Sequence, residues 1–525
     1  MKNRSIAAAA FLSGVLIAGG WLMDHGVRAP GPNAASAAHL FDEVLQHVRR
    51  DYVDPLPDSI VFRHAINGTL RELHDPHSVF LDARRLSRLD ESTTGRYAGV
   101  GIQMDVRDSG ITIIGTLPGS PAERAGLVSG DRIATIDGRT TRGLTSDEAL
   151  RTLRGAPGTT VHLLVERFGV TDRLPFTLER RMIEVNPVQH AIVVRDGIGY
   201  VSLTVFSEHA AADLTQAIDS LRSAGCRSLI LDLRGDPGGL LGQGIDVADL
   251  FLDPAQPIVS TRGRSADETR AFADRAPQRW PTMPIVVLTD SATASASEIV
   301  AGALQDHDRA LIVGTATYGK GSAQRVFRIE GGALKVTTAL WYTPSGRSIN
   351  RPRVPAGGEV RATADSAVPR PKFRTDAGRT VLGGGGIVPD VEVANRLFTT
   401  GDKALQRALG VKAPQFRDAL VEYALWLKAS HTIADPAFTV SPAMRDELFR
   451  RMQSHGLTLD RAVFDSSAAL VDHTLASQVS RYVFGSGAEF QRALRDDAAF
   501  GRAADLLVGA PSPQALLARA LPAAH

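Results

Sequence analysis

The sequence predicts an α/β protein with a β-rich insert and helical segments at both ends, on three observations. From about Gly199 buried apolar runs alternate with helical patterns: Leu229–Leu233 and a helix up to Phe251, then Ile285–Thr289 and a helix over Ala296–Gln305, then Ala310–Gly314. Strands alternating with helices of that length imply parallel βαβ units. Upstream, from Tyr97, short β-type runs alternate with turns (Gly101–Val106, Ile111–Leu117, Arg132–Ile136, Thr160–Glu166), interrupted by helical patterns at Pro121–Ala125 and Ser146–Leu153. Third, 525 residues exceed one core, and at roughly 150 residues per domain about three or four domains are expected.

Taken from the start, Lys2 and Arg4 precede an apolar stretch, Ile6–Met23. Its length lies between a signal-peptide core and a membrane span, so both readings stand, the uncleaved anchor being favoured over cleavage near Ala35-Ser36-Ala37. Either one implies export to the cell envelope or periplasm, with inner-membrane anchoring under the first. Residues 24–37 read as a linker. Helical patterning covers His39 to about Ser92: Phe41, Val44, Leu45 and Val48 share one face, and Ile66, Leu70 and Leu73 follow in a second helix that His74-Asp75-Pro76-His77-Ser78 ends. Asp137-Gly138 is a turn signal within the β-rich insert. Residues 351–386 are polar and rich in Gly, Pro and Arg, an insertion or loop, and after about Asn395 the chain is helical and alanine-rich. The expected domains are therefore 1–37 (signal or anchor and linker), 38–93 (helical), 94–182 (β-rich insert), 183–395 (α/β core) and 396–525 (helical extension).

Composition excludes several classes. Hydrophobic residues make 43% and charged residues 22%, which favours a folded protein. With 59 Lys+Arg against 57 Asp+Glu the net charge is +2, giving no reason to expect nucleic acid as partner. Basic pairs such as Arg84-Arg85 and Arg180-Arg181 read as solvated surface. One cysteine, Cys226, permits no internal disulfide and reads as a buried small hydrophobe.

In a parallel α/β sheet ligands sit beyond the carboxyl ends of the strands, so the turns Arg234–Gly239 and Asp290–Ser295 are where chemistry is expected. Ser295-x-x-Glu298 satisfies a capping-box pattern, and on local sequence a helix cap is the simpler reading of Ser295. The functional reading makes Ser295 a nucleophile at a helix N-terminus, where the Ala296 N–H can bind an oxyanion. No Gly-x-Ser-x-Gly elbow surrounds it. A base is required; His307, in Asp306-His307-Asp308, reads as an exposed helix end, and Lys320 in Tyr318-Gly319-Lys320-Gly321 is the better candidate. Flanking glycines let the backbone turn sharply, and desolvation lowers a lysine's pKa far enough for it to act as a base. Gln324 lies where it can orient the amine. Asp232-Leu-Arg-Gly-Asp-Pro-Gly-Gly239 supplies a glycine turn after a buried strand, and no Gly-Lys-Ser/Thr follows to make it a phosphate loop.

Together these segments resemble the carboxyl-terminal processing peptidases, or tail-specific proteases, of family S41. The match includes Leu231–Gly239, Thr293-Ala-Ser-Ala-Ser-Glu-Ile299, Tyr318–Gly321 with Gln324, Asp75–Ser78 and Gly386-Ile-Val-Pro-Asp390, in order, across about residues 39–393. The resemblance implies a ClpP/crotonase-like peptidase core with an inserted PDZ domain, between the N-terminal helical segment and the C-terminal helical extension read from the patterning. It implies Ser295 as nucleophile, Lys320 as general base, Gln324 as the residue that positions it, and Gly239 and Ala296 as oxyanion donors. It implies no cofactor and no metal; His74 and His77 belong to a segment that looks structural in the family. Residues 97 to about 180 look like the PDZ domain, with Gly99, Val100, Gly101 and Ile102 in its carboxylate-binding loop, and Gly126-Leu127 and Gly130–Ile133 also fit. The expected partners are proteins with unstructured apolar C-termini. The long 351–380 stretch and the tail after 395 depart from the family; the tail is expected to serve as a docking module, a cap over the active site, or an element of a homo-oligomer or adaptor contact. The rival functions are an inactive PDZ scaffold, against which the intact Ser295, Lys320 and Gln324 stand, and an acyl-CoA enzyme sharing the crotonase core.

Overall fold

The computed structural model describes residues 32–107, 110–351, 353–356, 359–362, 370–394 and 398–520. The apolar stretch Ile6–Met23 lies outside these residues. Among the described residues no helix is long and apolar enough to cross a membrane.

The chain divides into two compact units, residues 1–80 and 81–525. The first holds two helices, Pro32–Asp51 and Asp58–Arg71. Of the predicted apolar face only Leu45 is buried, while Phe41, Val44 and Val48 are exposed. The Asp75-Pro-His-Ser78 motif is a turn: the Asp75 carboxylate accepts from the His77 N–H at 3.0 Å and from the Ser78 hydroxyl at 2.6 Å.

In the second unit the β-rich insert folds as a sheet ordered Ile102–Arg107, Gly110–Thr116, Arg132–Ile136, Thr160–Glu166 and Leu174–Glu179, with Arg139–Thr140 paired beside Arg132–Ile136. Alternating residues Ile111, Ile113, Ile133, Val161, Leu163 and Val165 point into one apolar core with Ala122 and Ala149 from the two predicted short helices. Arg180 does not lie in solvent as its sequence neighbourhood suggests. It is buried and donates to the carbonyls of Thr152, Leu153 and Thr160; the first two end the helix Ser146–Leu153, where carbonyls have no intrahelical partner.

The α/β core is a six-stranded sheet ordered Val188–Val193, Ile198–Leu203, Ser228–Asp232, Ile285–Thr289, Leu311–Gly314 and Val391–Glu392. The first pair is antiparallel and the rest parallel. A parallel sheet needs both faces covered. Val201, Leu229, Leu231, Ile285, Val287 and Ile312 face the helices Ala210–Ser223, Leu241–Asp249 and Ala296–Asp306, and Cys226 is buried with them. Residues one position out of phase, Tyr200, Ile230, Val286, Leu288, Leu311 and Val313, face Leu494, Ala503, Leu506, Leu507 and Leu516 of the C-terminal extension. The extension therefore completes the core sheet. Its preceding helices form a second core from Leu405 to Tyr482, and Leu425 and Lys428 there meet the β-rich insert, Lys428 donating to the Ser129 carbonyl at 3.1 Å.

Candidate active site

Both turns singled out by the sequence lie at the carboxyl ends of parallel strands, and they touch. Ser295 ends the turn after Ile285–Thr289 in a left-handed conformation, φ 57° and ψ −113°, a region unfavourable for any residue with a side chain and persisting only where surroundings enforce it. The enforcement is visible on both sides.

On one side stands Glu298, wholly buried one turn into the helix. The capping box is lopsided: Glu298 Oε2 accepts from the Ser295 N–H at 2.8 Å, whereas the Ser295 hydroxyl meets the loose pattern without making a cap hydrogen bond. The same Oε2 accepts from the Lys320 N–H at 2.9 Å. Oε1 accepts from the Gly319 N–H at 2.7 Å and the Thr317 hydroxyl at 2.5 Å. Ser295 and Lys320 are thus joined at the backbone by one oxygen atom. Burial pushes the Glu298 carboxyl up, and its four donors pull it down. The Lys320 carbonyl accepts from Trp341 Nε1 at 3.1 Å, so that residue is held from both ends. Gly319 is left-handed (φ 84°), and a Cβ on Gly321 would sit 2.9 Å from Asn350; the first glycine serves the turn and the second a close approach. Gln324 follows where the strand Ser322–Ile329 slips register against Gly332–Tyr342, an irregularity that re-aims side chains. Its Nε2 donates to the Ser322 and Thr337 hydroxyls at 2.9 and 3.2 Å.

On the other side is the glycine turn. A Cβ on Gly238 would lie 2.6 Å from the Ala294 carbonyl oxygen and 2.8 Å from both Ala296 N and Ser295 Cβ; one on Gly239 would lie 2.3 Å from the Phe206 carbonyl oxygen. Only glycine fits at either position. Phe206 N–H donates to Gly238 O at 3.1 Å and Leu240 N–H to Phe206 O at 2.8 Å, which fixes the turn. Among the described residues the N–H groups of Gly239 and Ala296 have no protein acceptor. Upstream, Asp232 accepts from the Tyr200 hydroxyl at 2.7 Å and from Arg234, and Arg234 also pairs with Asp497 of the extension at 2.7 Å. This last link has no signal in the sequence.

The exposed helix end expected at Asp306-His307-Asp308 is not found. Asp306 is buried against Arg347 at 2.7 Å, the His307 ring lies between Asp376 and the Pro257 carbonyl, and Asp308 pairs with Arg379. The partners come from segments distant in sequence. Asp390 belongs to the same cluster, taking the Ile312 N–H at 2.8 Å and Gln305 Nε2 at 3.0 Å, which accounts for the Gly386–Asp390 motif.

In the β-rich insert Gly99 ends a strand, Arg96–Gly99, paired with Arg181–Glu184. Val100 is buried, and its carbonyl takes the Ala122 N–H at 3.0 Å. Gly101 is left-handed (φ 75°), and a Cβ there would lie 2.3 Å from Ser120. Ile102 opens Ile102–Arg107, the strand at the sheet's edge.

The description of Peptidase family S41 matches residues 197–358, and that of the PDZ domain residues 87–166. The carboxy-terminal-processing protease of Bartonella bacilliformis is 42% identical over 314 residues, 59% of this chain and 71% of that protein. Carboxy-terminal processing protease CtpA of Bacillus subtilis is 34% identical over 61% of this chain and 68% of its own. Among solved structures, the photosystem II D1 C-terminal processing protease is 28% identical with a TM-score of 0.38, over 71% of this chain and 97% of that one.

Proposed function

The chain belongs to the carboxy-terminal-processing proteases of peptidase family S41, serine-type enzymes, with a PDZ domain, and from that premise we propose that it cleaves proteins through a Ser295/Lys320 dyad after its PDZ domain has engaged their C-terminal tails. The observation that supports the reading is the Glu298 oxygen that accepts from the main-chain N–H groups of both Ser295 and Lys320. Neutral Lys320 takes the proton of Ser295 Oγ as it attacks the scissile carbonyl, and Gln324 Oε1 orients the amine. The tetrahedral oxyanion is held by the N–H groups of Gly239 and Ala296, both without a protein acceptor among the described residues. Collapse expels the amine, and water releases the acyl group.

The PDZ reading rests on the edge strand Ile102–Arg107 and the loop Gly99–Ile102 before it, where backbone N–H groups can receive a terminal carboxylate and the edge can take a peptide as an added strand. Export to the cell envelope is proposed from Lys2, Arg4 and Ile6–Met23.

The test is cleavage of an unstructured protein with an apolar C-terminus. Ser295→Ala and Lys320→Ala are each expected to lose about 10⁴-fold or more in kcat, with tail binding retained. Tail binding with no turnover by the unsubstituted chain would favour the inactive scaffold instead.

A further inference from the structure

Behind the glycine turn lies a carboxyl that the proposed reaction does not use. Asp236 is wholly buried. Its Oδ1 accepts from the Gly238 N–H at 2.7 Å, while Oδ2 is buried without a hydrogen-bond partner. Its main-chain carbonyl accepts from the Ala294 N–H at 2.9 Å and the Ser297 hydroxyl at 3.1 Å. One residue therefore ties the turn carrying Gly239 to the residues on either side of Ser295.

We infer that Asp236 is a positioning residue for the oxyanion site and that it serves as the neutral carboxylic acid. This rests on the proposed dyad and its Gly239 and Ala296 donors. The neutral acid orders the turn through its acceptor oxygen and adds no charge. An ionised Asp236 keeps the Gly238 bond but places negative charge, poorly solvated, one residue from the N–H that must receive the developing oxyanion. The charged groups on surrounding elements do not offset it. Arg234 is committed to Asp232 and Asp497, Asp290 takes the Gly235 N–H, and Glu298 is filled by its four donors. Lys320, beyond Glu298, is the base itself.

Burial, the first cause, lifts the carboxyl to about 7 against the pull of the Gly238 N–H and the Ser297 hydroxyl. Ionisation thus falls in the range where activity is measured. The folded state binds this proton more tightly than the unfolded chain does. The favourable contribution is complete below the ordinary carboxylate range of about 4 and is lost as pH rises through about 7.

The experiment is the pH profile of kcat and KM for the full chain and for Asp236→Asn and Asp236→Ala. The activity of the unsubstituted chain should fall above about pH 7. Asp236→Asn keeps the acceptor and cannot ionise, so it should match the parent at pH 6 and lack the fall, the ratio of the two kcat values rising about 10-fold by pH 8.5. Asp236→Ala should lose kcat about 10-fold at every pH, with KM little changed. Parallel profiles for Asp236→Asn and parent overturn the inference. So does a parent profile that rises without a fall to pH 9, a measurement that needs no folded variant. A separate arm uses the Ser295→Ala background, where the Tm gained from Asp236→Asn should grow between pH 5 and pH 8; a constant gain overturns the inference. If Ser295→Ala still cleaves, the dyad reading fails, and the Tm arm still decides whether Asp236 ionises as stated.

Discussion

Two buried carboxyls flank Ser295, and they are held in opposite ways. Glu298, on the lysine side, fills both oxygens with four donors drawn from two stretches of chain, Ser295 and Thr317–Lys320. Asp236, on the glycine side, receives one donor and leaves an oxygen orphaned. Burial raises both groups. Because a buried polar group without a partner is expensive and a filled one is not, the first works as a permanent clamp and the second as a group whose charge is easily lost or gained. The difference also separates the sensitivities: the lysine side depends on hydrogen-bond number, the glycine side on space and charge.

The sharpest way to break this contrast is to empty the clamp. Glu298→Ala leaves four buried donors unsatisfied and should cost about 3 kcal/mol in urea unfolding and about 10³-fold in kcat; near-normal stability would mean the network is not what joins Ser295 to Lys320. Gly238→Ala tests space. A Cβ there meets backbone at 2.6 Å on a left-handed residue, so displacement of one oxyanion donor should cut kcat about 10²-fold with KM within about twofold. The smallest effect is expected from Asp497→Ala. Arg234 retains Asp232, so a partly exposed pair should yield about 1 kcal/mol or less of stability and only a few-fold in kcat; a larger loss would make the extension a direct determinant of the glycine turn.

Much of the fold was legible because periodicity is a local property. The strands Arg132–Ile136, Thr160–Glu166 and Ile285–Thr289 and the helix Ser146–Leu153 occur with the boundaries read from sequence. The candidate site was legible in its residues but not in its wiring. Ser295-x-x-Glu298 fits a capping box, of which only the Glu298 half is made, and the carboxylate's other partners lie at Thr317, Gly319 and Lys320, beyond any local pattern. The expectation for Asp306–Asp308 failed for the same reason, since Asp376 and Arg379 arrive from the stretch read as an insertion or loop and Arg347 from just before it. Arg180 was misjudged because a charged pair gives no hint that carbonyls await it. On the first helix, Phe41, Val44 and Val48 kept the right period but are not covered.

The helices Ser486–Arg495, Ala498–Leu507 and Pro513–Ala520 bear on how the protein can be divided. Recombinant fragments ended at residue 358, where the peptidase match stops, or at 395, would strip Tyr200, Ile230, Val286 and Leu288 of their covering and display a broad greasy plane. Such truncations should precipitate rather than report an intrinsic activity of a smaller enzyme.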